Sequence, residues 1–207
     1  MTEDLPAPRL APLPRERWGD DVISALRLAY PEAVVQRFLS TEPDAKPVPT
    51  ALTTMVHHPA LAGPFLAYNN TLLANPALGH RMRELIVLRV AWRTQSRYEW
   101  AQHVMLAPRF DITDDDIDAI ARDEPAEAWT PLERALVAAT DQLINDHCVD
   151  DETWAQLAEH LDERQLVEVI FVAGTYACLA MAFNSFGVQL EAGVDAPELP
   201  PLPERSR

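Results

Sequence analysis

Cysteine is scarce in this sequence, and its two cysteines are not spaced as metal ligands. Cys148 and Cys178 lie thirty residues apart and form no CxxC or zinc-ligand pattern. The sequence therefore indicates neither a disulfide framework nor a structural zinc site. Cys178 stands in the apolar run GTYACLAMAF, so we expect it to be a small, buried core residue.

Basic residues and long hydrophobic runs are also scarce. Seventeen lysines and arginines stand against 32 aspartates and glutamates, for a net charge of -15. This charge would repel a phosphate backbone or an anionic surface, so we expect no nucleic-acid and no membrane partner, which leaves a small-molecule substrate or another protein. We find no stretch approaching the ~20 apolar residues of a transmembrane helix and no secretory signal, and we therefore expect a cytoplasmic protein.

Proline is concentrated at the two ends of the chain. The prolines of these ends are Pro6, Pro8, Pro12, Pro14, Pro197, Pro200, Pro201 and Pro203. We predict an extended arm over 1–17, one domain over 18–192 and an extended tail over 193–207. A chain of 207 residues is long enough to bury one sizeable core, and its length favours a single domain.

Between these ends, apolar residues recur every three or four positions, which is typical of α-helices. No run alternates as a strand does, so we predict an all-α helical bundle. Thr113, Thr130 and Asp150 precede acidic or proline residues, as helix N-caps do. Segments 84–92 and 166–183 are apolar on nearly every side and should form central helices. The predicted helices span 18–29, 32–39, 59–73, 79–92, 97–108, 113–122, 131–145, 151–160 and 163–190.

Four polar residues of two adjacent predicted helices suggest a site. Ser96, Glu99 and His103 share one helix face, because they are spaced at i, i+3 and i+7. Glu84 lies twelve residues before Ser96, and the short TQS connection allows the two helices to pack together. A buried carboxylate is costly without a partner, so we expect Glu84 to pair with His103. Such a pair could perform general acid–base catalysis.

Structural interpretations compete with this hypothesis. Ser96 and Glu99 fit an S-x-x-E capping box, which needs no substrate. Glu84 and His103 could be a buried structural pair in a scaffold. Together with Glu99 they could also supply two oxygens and one nitrogen to a metal ion, although we expect no metal and no cofactor.

Further residues are candidates for substrate binding. Five arginines fall within 81–97, and we expect most of them to pair with acidic residues at helix or subunit interfaces. Arg89, inside the apolar run, is the candidate for holding a substrate carboxylate. The predicted substrate-binding residues are Arg89, Ser96, Tyr98, Trp100, Tyr176 and Asn184.

Residues 81–120, RMRELIVLRVAWRTQSRYEWAQHVMLAPRFDITDDDIDAI, resemble the carboxymuconolactone decarboxylase and alkylhydroperoxidase D-like family, and GTYACLAMAFNSFGVQLE resembles the second conserved helix of its longer members. The resemblance implies an all-helical bundle and a homo-oligomer, such as a trimer or hexamer. It also implies a site near helix ends and subunit contacts.

The peroxidase branch of that family has a glutamate, a CxxC motif twelve residues later, and a histidine four residues beyond the second cysteine. These positions are Glu84, Ser96, Glu99 and His103 here, so both thiols are missing. Neither serine nor glutamate replaces a thiolate, which disfavours the peroxidase alternative.

The YEWxxH variant is similar to the decarboxylase side of the family. That side implies cofactor-free decarboxylation or proton transfer, as a lyase or isomerase, on a small carboxylated lactone. By this resemblance His103 is the acid or base, Glu84 is its orienting partner and Glu99 is a second carboxylate. A non-catalytic oligomeric ligand-binding protein remains an alternative.

Overall fold

The computed structural model describes residues 7–42, 45, 47–122 and 124–191, and it contains no strand among them. The predicted all-α fold is confirmed. The helices are α1 (Asp20–Ala29), α2 (Glu32–Leu39), α3 (Thr50–Met55), α4 (Pro59–Ala74), α5 (His80–Arg93), α6 (Arg97–Leu106), α7 (Asp114–Arg122), α8 (Pro131–Asn145), α9 (Asp151–Ala158) and α10 (Glu163–Phe186).

Three helices begin where their capping residues predicted. Thr130 accepts the amide of Glu133 at 3.2 Å, and the Glu133 carboxylate accepts the amide of Thr130 at 2.8 Å, which is a complete capping box for α8. Thr113 and Asp116 make the same reciprocal bonds at the start of α7. Asp150 caps α9. Each cap satisfies an amide that the first helical turn leaves unpaired.

Other boundaries differ from the prediction. The sequence analysis missed α3, because six residues between Pro49 and the following turn are too few to show a helical period. α6 ends at Leu106, and a 3-10 turn over Ala107–Phe110 follows it. α10 ends at Phe186 rather than at residue 190, because Gly187 has a φ of +69° and cannot continue the helix.

Within the described residues the chain divides into two compact units. The first comprises residues 7–74 and 185–191, and the second comprises residues 75–184. In the first unit α1 contacts α4 closely, and a Cβ added at Gly63 of α4 would lie 3.0 Å from the Cα of Ala25. The absent side chain of Gly63 therefore allows the two helix backbones to approach.

The described part of the predicted N-terminal arm also packs in the first unit. Leu13 is buried, and its amide donates to the carbonyl of Thr53 at 2.8 Å. The amides of Arg9 and Leu10 donate to the carbonyl of Phe186 at 2.8 and 3.1 Å. The rest of the arm, residues 1–6, and the predicted tail over 193–207 lie outside the described residues.

The second unit is built around α5. Ten consecutive residues of this helix, from Arg83 to Trp92, are buried, as the sequence predicted for a central helix. α5 contacts α6, α7 and α8, and its apolar side chains share one core with Trp100 of α6 and Ile120 of α7. This central position removes the α5 side chains from water. The charged groups of α5 therefore need ion-pair or hydrogen-bond partners inside the protein.

α10 is the longest helix, and it corrects two predictions. Its 24 residues are long and apolar enough to cross a bilayer by length and composition, so the prediction that no segment approaches that length was wrong. However, 61% of its apolar window is buried inside the protein, as in the core helix of a globular fold. Cys178 is exposed rather than buried, since it lies on an outer stripe of α10 with the exposed residues Phe171 and Met181.

Candidate acid–base site

A tight connection between α5 and α6 creates the candidate site. Gln95 adopts a left-handed conformation with a φ of 54°, and the amide of Ser96 donates to the carbonyl of Ala91 at 2.9 Å. Asn184 of α10 fixes the connection by donating to the carbonyl of Thr94 at 2.9 Å. The chain therefore reverses within three residues, and α6 packs against α5.

This packing brings Glu84 and His103 into contact, as the sequence predicted. The Nδ1 atom of His103 lies 2.5 Å from one carboxylate oxygen of Glu84. The other oxygen accepts a hydrogen bond from Nη2 of Arg83 at 2.9 Å. Glu84 is completely buried, and the His103 side chain is 12% exposed. Glu84 is thus fully enclosed, whereas His103 keeps a small exposed fraction.

The surroundings of Glu84 keep its carboxyl group ionised. Burial raises the pKa of Glu84, but the charges and hydrogen bonds of His103 and Arg83 outweigh burial and hold the pKa below its usual range. A carboxylate that accepts the Nδ1–H of a histidine fixes the ring tautomer, so the lone pair of a neutral His103 ring lies on Nε2. The ring of Tyr176 packs edge-on against His103 with centroids 5.2 Å apart and holds its orientation.

The capping box predicted for Ser96 and Glu99 is absent. The Ser96 amide already donates to Ala91, so the Glu99 carboxyl group has no free amide to return to. Ser96 is fully buried and Glu99 is 3% exposed. Among the described residues, neither the Ser96 hydroxyl nor either oxygen of Glu99 has a hydrogen-bond partner of acceptable geometry. Burial raises the pKa of Glu99 to about 8, and the nearby Ser96 hydroxyl lowers it by less.

The aromatic candidates lie around α6 and α10. Tyr98 is buried and packs edge-on against Phe183 with centroids 5.4 Å apart. Trp100 is fully buried against Trp92, and its indole Nε1 has no hydrogen-bond partner among the described residues. Tyr176 is the member of this group that touches His103, and burial followed by the charge of Glu84 raises its pKa.

Arg89 and Asn184, which the sequence analysis predicted to bind substrate, both make contacts within the protein. Arg89 donates to both carboxylate oxygens of Asp141 at 2.6 Å and to the carbonyl of Ile120 at 2.8 Å. Its planar guanidinium thus joins α5 to α7 and α8 through a bidentate contact with Asp141. Asn184 uses its amide to hold the α5–α6 connection.

Arg83 is the site residue that the sequence analysis did not single out. It was grouped with the other arginines as an interface residue, because neighbours in sequence do not usually face each other on a helix. The structure shows it buried, paired with Glu84, and with its guanidinium 4.9 Å from the ring centroid of Phe110. The sequence feature that could have identified Arg83 is its position next to Glu84 in a mostly apolar helix.

Two cavities lie in this unit, and neither is lined by Glu84 or His103. One of about 730 Å³ lies around α7 and the segment that follows it. The other, of about 200 Å³, lies between α7 and α8 and is lined by Arg89 and Asp141, among other residues. In the part of the chain that the structure describes, no group of three histidine, cysteine, aspartate or glutamate side chains is arranged to hold a metal ion. Both cysteines are exposed and free.

Comparison with solved structures defines the fold. A peroxidase-related protein with an alkylhydroperoxidase AhpD core, from Ralstonia eutropha JMP134, superposes with a TM-score of 0.66 at 21% identity, covering 85% of this chain and 92% of that one. A peroxidase-related protein from Silicibacter sp. TM1040 gives 0.68 at 15% identity, with coverage of 93% and 96%. The debrominase Bmp8, solved with 2,3,4-tribromopyrrole, gives 0.66 at 18% identity, with coverage of 88% and 91%. The fold is therefore AhpD-like.

The family resemblance is confirmed by a direct match. Residues 59–142 match the model of the carboxymuconolactone decarboxylase family, and this span contains Glu84, Ser96, Glu99 and His103. No curated protein matches the chain. Residues 59–142 are thus similar to the carboxymuconolactone decarboxylase family, and the two cysteine positions of the motif hold Ser96 and Glu99 in this chain.

Proposed function

We propose that this protein is a cofactor-free acid–base enzyme, a lyase or isomerase, that acts on a small carboxylated lactone or a related carbonyl compound. The contact between His103 Nδ1 and the buried carboxylate of Glu84 is the observation that carries the proposal. The family match, with its decarboxylase members, supports the reaction class. We also propose that the enzyme works as a cytoplasmic homo-oligomer, a trimer or hexamer, as the resemblance implies.

His103 is the proton-transfer group in this proposal. Glu84 orients the ring and stabilises the imidazolium that forms when Nε2 takes a proton. In the decarboxylation, the bond between carbon and the carboxylate breaks, CO₂ leaves, and its electron pair moves into the conjugated carbonyl. His103, which takes a proton from solvent water on Nε2, then gives that proton to carbon. Arg83 offsets the charge of Glu84, so that the pair remains stable while buried.

The peroxidase alternative has little support in the site. The neighbouring structures include peroxidase-related proteins, but the positions of the redox thiols hold Ser96 and Glu99 in this chain. Peroxide reduction by a dithiol needs two sulfur atoms that can reach each other. Cys148 and Cys178 are both exposed, and neither belongs to the site.

Turnover of a substrate panel tests the proposal. Carboxylated unsaturated lactones and β-keto acids are incubated with the protein, and CO₂ release and deuterium uptake from D₂O are measured. We expect His103→Gln to lower turnover at least 100-fold, because general acid–base groups contribute about 10²–10⁴-fold. His160→Gln, at an exposed position, is the matched control, and Cys148→Ala with Cys178→Ala should retain full activity.

The alternatives predict different results. If the parent protein turns over no compound of the panel, while His103→Gln strongly lowers the melting temperature, the pair is structural and a non-catalytic ligand-binding protein is the better interpretation. If turnover depends on hydrogen peroxide and is lost with the two cysteines, the peroxidase alternative is correct.

A further inference from the structure

Glu99 is a buried carboxyl group that the acid–base pair does not use. Its side chain is 3% exposed, and neither oxygen has a hydrogen-bond partner among the described residues. An ionised carboxylate is stable in such a place only with a cation or several donors around it. The Ser96 hydroxyl lowers the pKa of Glu99 by less than burial raises it, and this hydroxyl is itself buried without a hydrogen-bond partner of acceptable geometry among the described residues. The environment of Glu99 therefore favours the neutral acid.

Glu84 and Glu99 occupy opposite environments within one site. Both carboxyl groups interact electrostatically with the buried hydroxyl of Tyr176. Burial and the charges of Glu84 and Glu99 raise the pKa of this hydroxyl, and the charge of Arg83 lowers it. Glu84 has two hydrogen-bonding partners, His103 and Arg83, and is ionised. Glu99 has no hydrogen-bond partner of acceptable geometry among the described residues, and burial raises its pKa to about 8. Two carboxyl groups whose pKa values are pushed apart are suited to separate acid and base roles.

We infer that Glu99 is the proton donor of this site and that the site takes small enolisable carbonyl compounds, such as unsaturated lactones, with the carbonyl oxygen directed at the Glu99 carboxyl group. This inference rests on the proposed function of His103 and Glu84. A neutral acid donates a hydrogen bond to a carbonyl oxygen and strengthens it as negative charge develops there.

The proton transfers balance without another reactant. Nε2 of His103 removes a proton from carbon, the electron pair of that C–H bond forms the C=C bond of an enol, and the carbonyl oxygen takes the proton of Glu99. In the return step the enol gives its proton back to Glu99, and the imidazolium protonates carbon at the other end of the conjugated system. The net result is an isomerised substrate and an unchanged enzyme.

Infrared difference spectroscopy tests the protonation state without any substrate. The parent protein at pH 7 should show a carboxylic-acid C=O band that disappears on ionisation with a midpoint near pH 8. Glu99→Gln should remove the band. Glu168→Gln should retain it, because Glu168 is a buried carboxylate whose oxygen accepts the amide of Leu78 at 2.8 Å, away from this group. Absence of the band from the parent protein at pH 7 would overturn the inference.

A kinetic probe tests the role. α-Angelica lactone, a β,γ-unsaturated lactone, is followed by NMR in D₂O for deuterium uptake and isomerisation between pH 5 and 10. We expect the parent rate to fall above pH 8 as Glu99 loses its proton. Glu99→Gln should lower the rate about 100-fold and remove this alkaline limb, because the amide donates a hydrogen bond but transfers no proton. Glu168→Gln should retain both the rate and the limb.

The two proposals fail in different ways. If Glu99→Gln keeps the parent rate and the alkaline limb while His103→Gln is inactive, the role of Glu99 is refuted and the acid–base function stands. If the lactone reacts equally fast with the parent and His103→Gln, the proposed function itself is refuted. A lactone that does not react with the parent protein counts against both.

Discussion

Replacing Glu99 with glutamine should change the pH dependence of stability. In the folded protein the pKa of Glu99 is about 8, against an ordinary value of 4.5. The folded state therefore binds the proton more tightly than the unfolded state does. This contribution to stability is fully present below about pH 4.5 and is lost as the pH rises through about 8. At roughly 1.4 kcal/mol per pKa unit, the full loss is up to about 5 kcal/mol.

Glutamine has nearly the same shape as glutamate and does not titrate. The stability of Glu99→Gln should therefore not fall with rising pH in this way. Urea unfolding of both proteins is followed by tryptophan fluorescence at several pH values from 5 to 9. We expect the free energy of unfolding of Glu99→Gln, measured relative to the parent, to rise by several kcal/mol across this range. Glu168→Gln controls for the amide substitution at another buried carboxyl position. A difference that stays constant with pH would refute the reasoning.

Three further predictions follow from the described contacts. Asp141→Asn should lower the free energy of unfolding by about 3 kcal/mol in urea, because it removes the charged partner of a buried arginine; a loss under about 0.5 kcal/mol, as for an exposed pair, would contradict it. Thr130→Ala should cost about 1 kcal/mol as a lost N-cap, whereas Ser96→Ala should cost clearly less, because Ser96 makes no cap bond; equal costs would argue otherwise. Both Cys148 and Cys178 should react with dithionitrobenzoate in the folded protein, and one reactive thiol per chain would show that one of them is covered.

The predicted helices were recovered where local signals are strong. Thr113, Thr130 and Asp150 marked the starts of α7, α8 and α9, because an N-cap acts within one turn of its own position. The ends were less predictable. The length of α10 depended on the left-handed conformation of Gly187, and α3 was too short to show a period.

The contact between Glu84 and His103 in the candidate site was predicted from the sequence, whereas the hydrogen-bond partners of Ser96 and Arg89 were not. A short connection between two helices was enough to foresee that Glu84 and His103 meet. The S-x-x-E pattern at Ser96 fits a capping box equally well, and it failed because the amide of Ser96 is used by Ala91 of the preceding helix. Arg89 forms an ion pair with the carboxylate of Asp141, which lies 52 residues further along the chain. Neither partner can be read from neighbouring positions.

The sequence by itself determined the helical period, the capped helix starts, the absence of paired thiols at the family's redox positions, and the spacing that brings an acid and an imidazole together. These features depend on residues within a few turns of one another. Only the tertiary structure showed which carboxyl group is charged. Glu84 and Glu99 are chemically identical. They differ because the fold supplies Arg83 and His103 to Glu84, whereas it buries Glu99 with no hydrogen-bond partner of acceptable geometry among the described residues. Burial without a partner is a property of the packed molecule, since it depends on every element around the group.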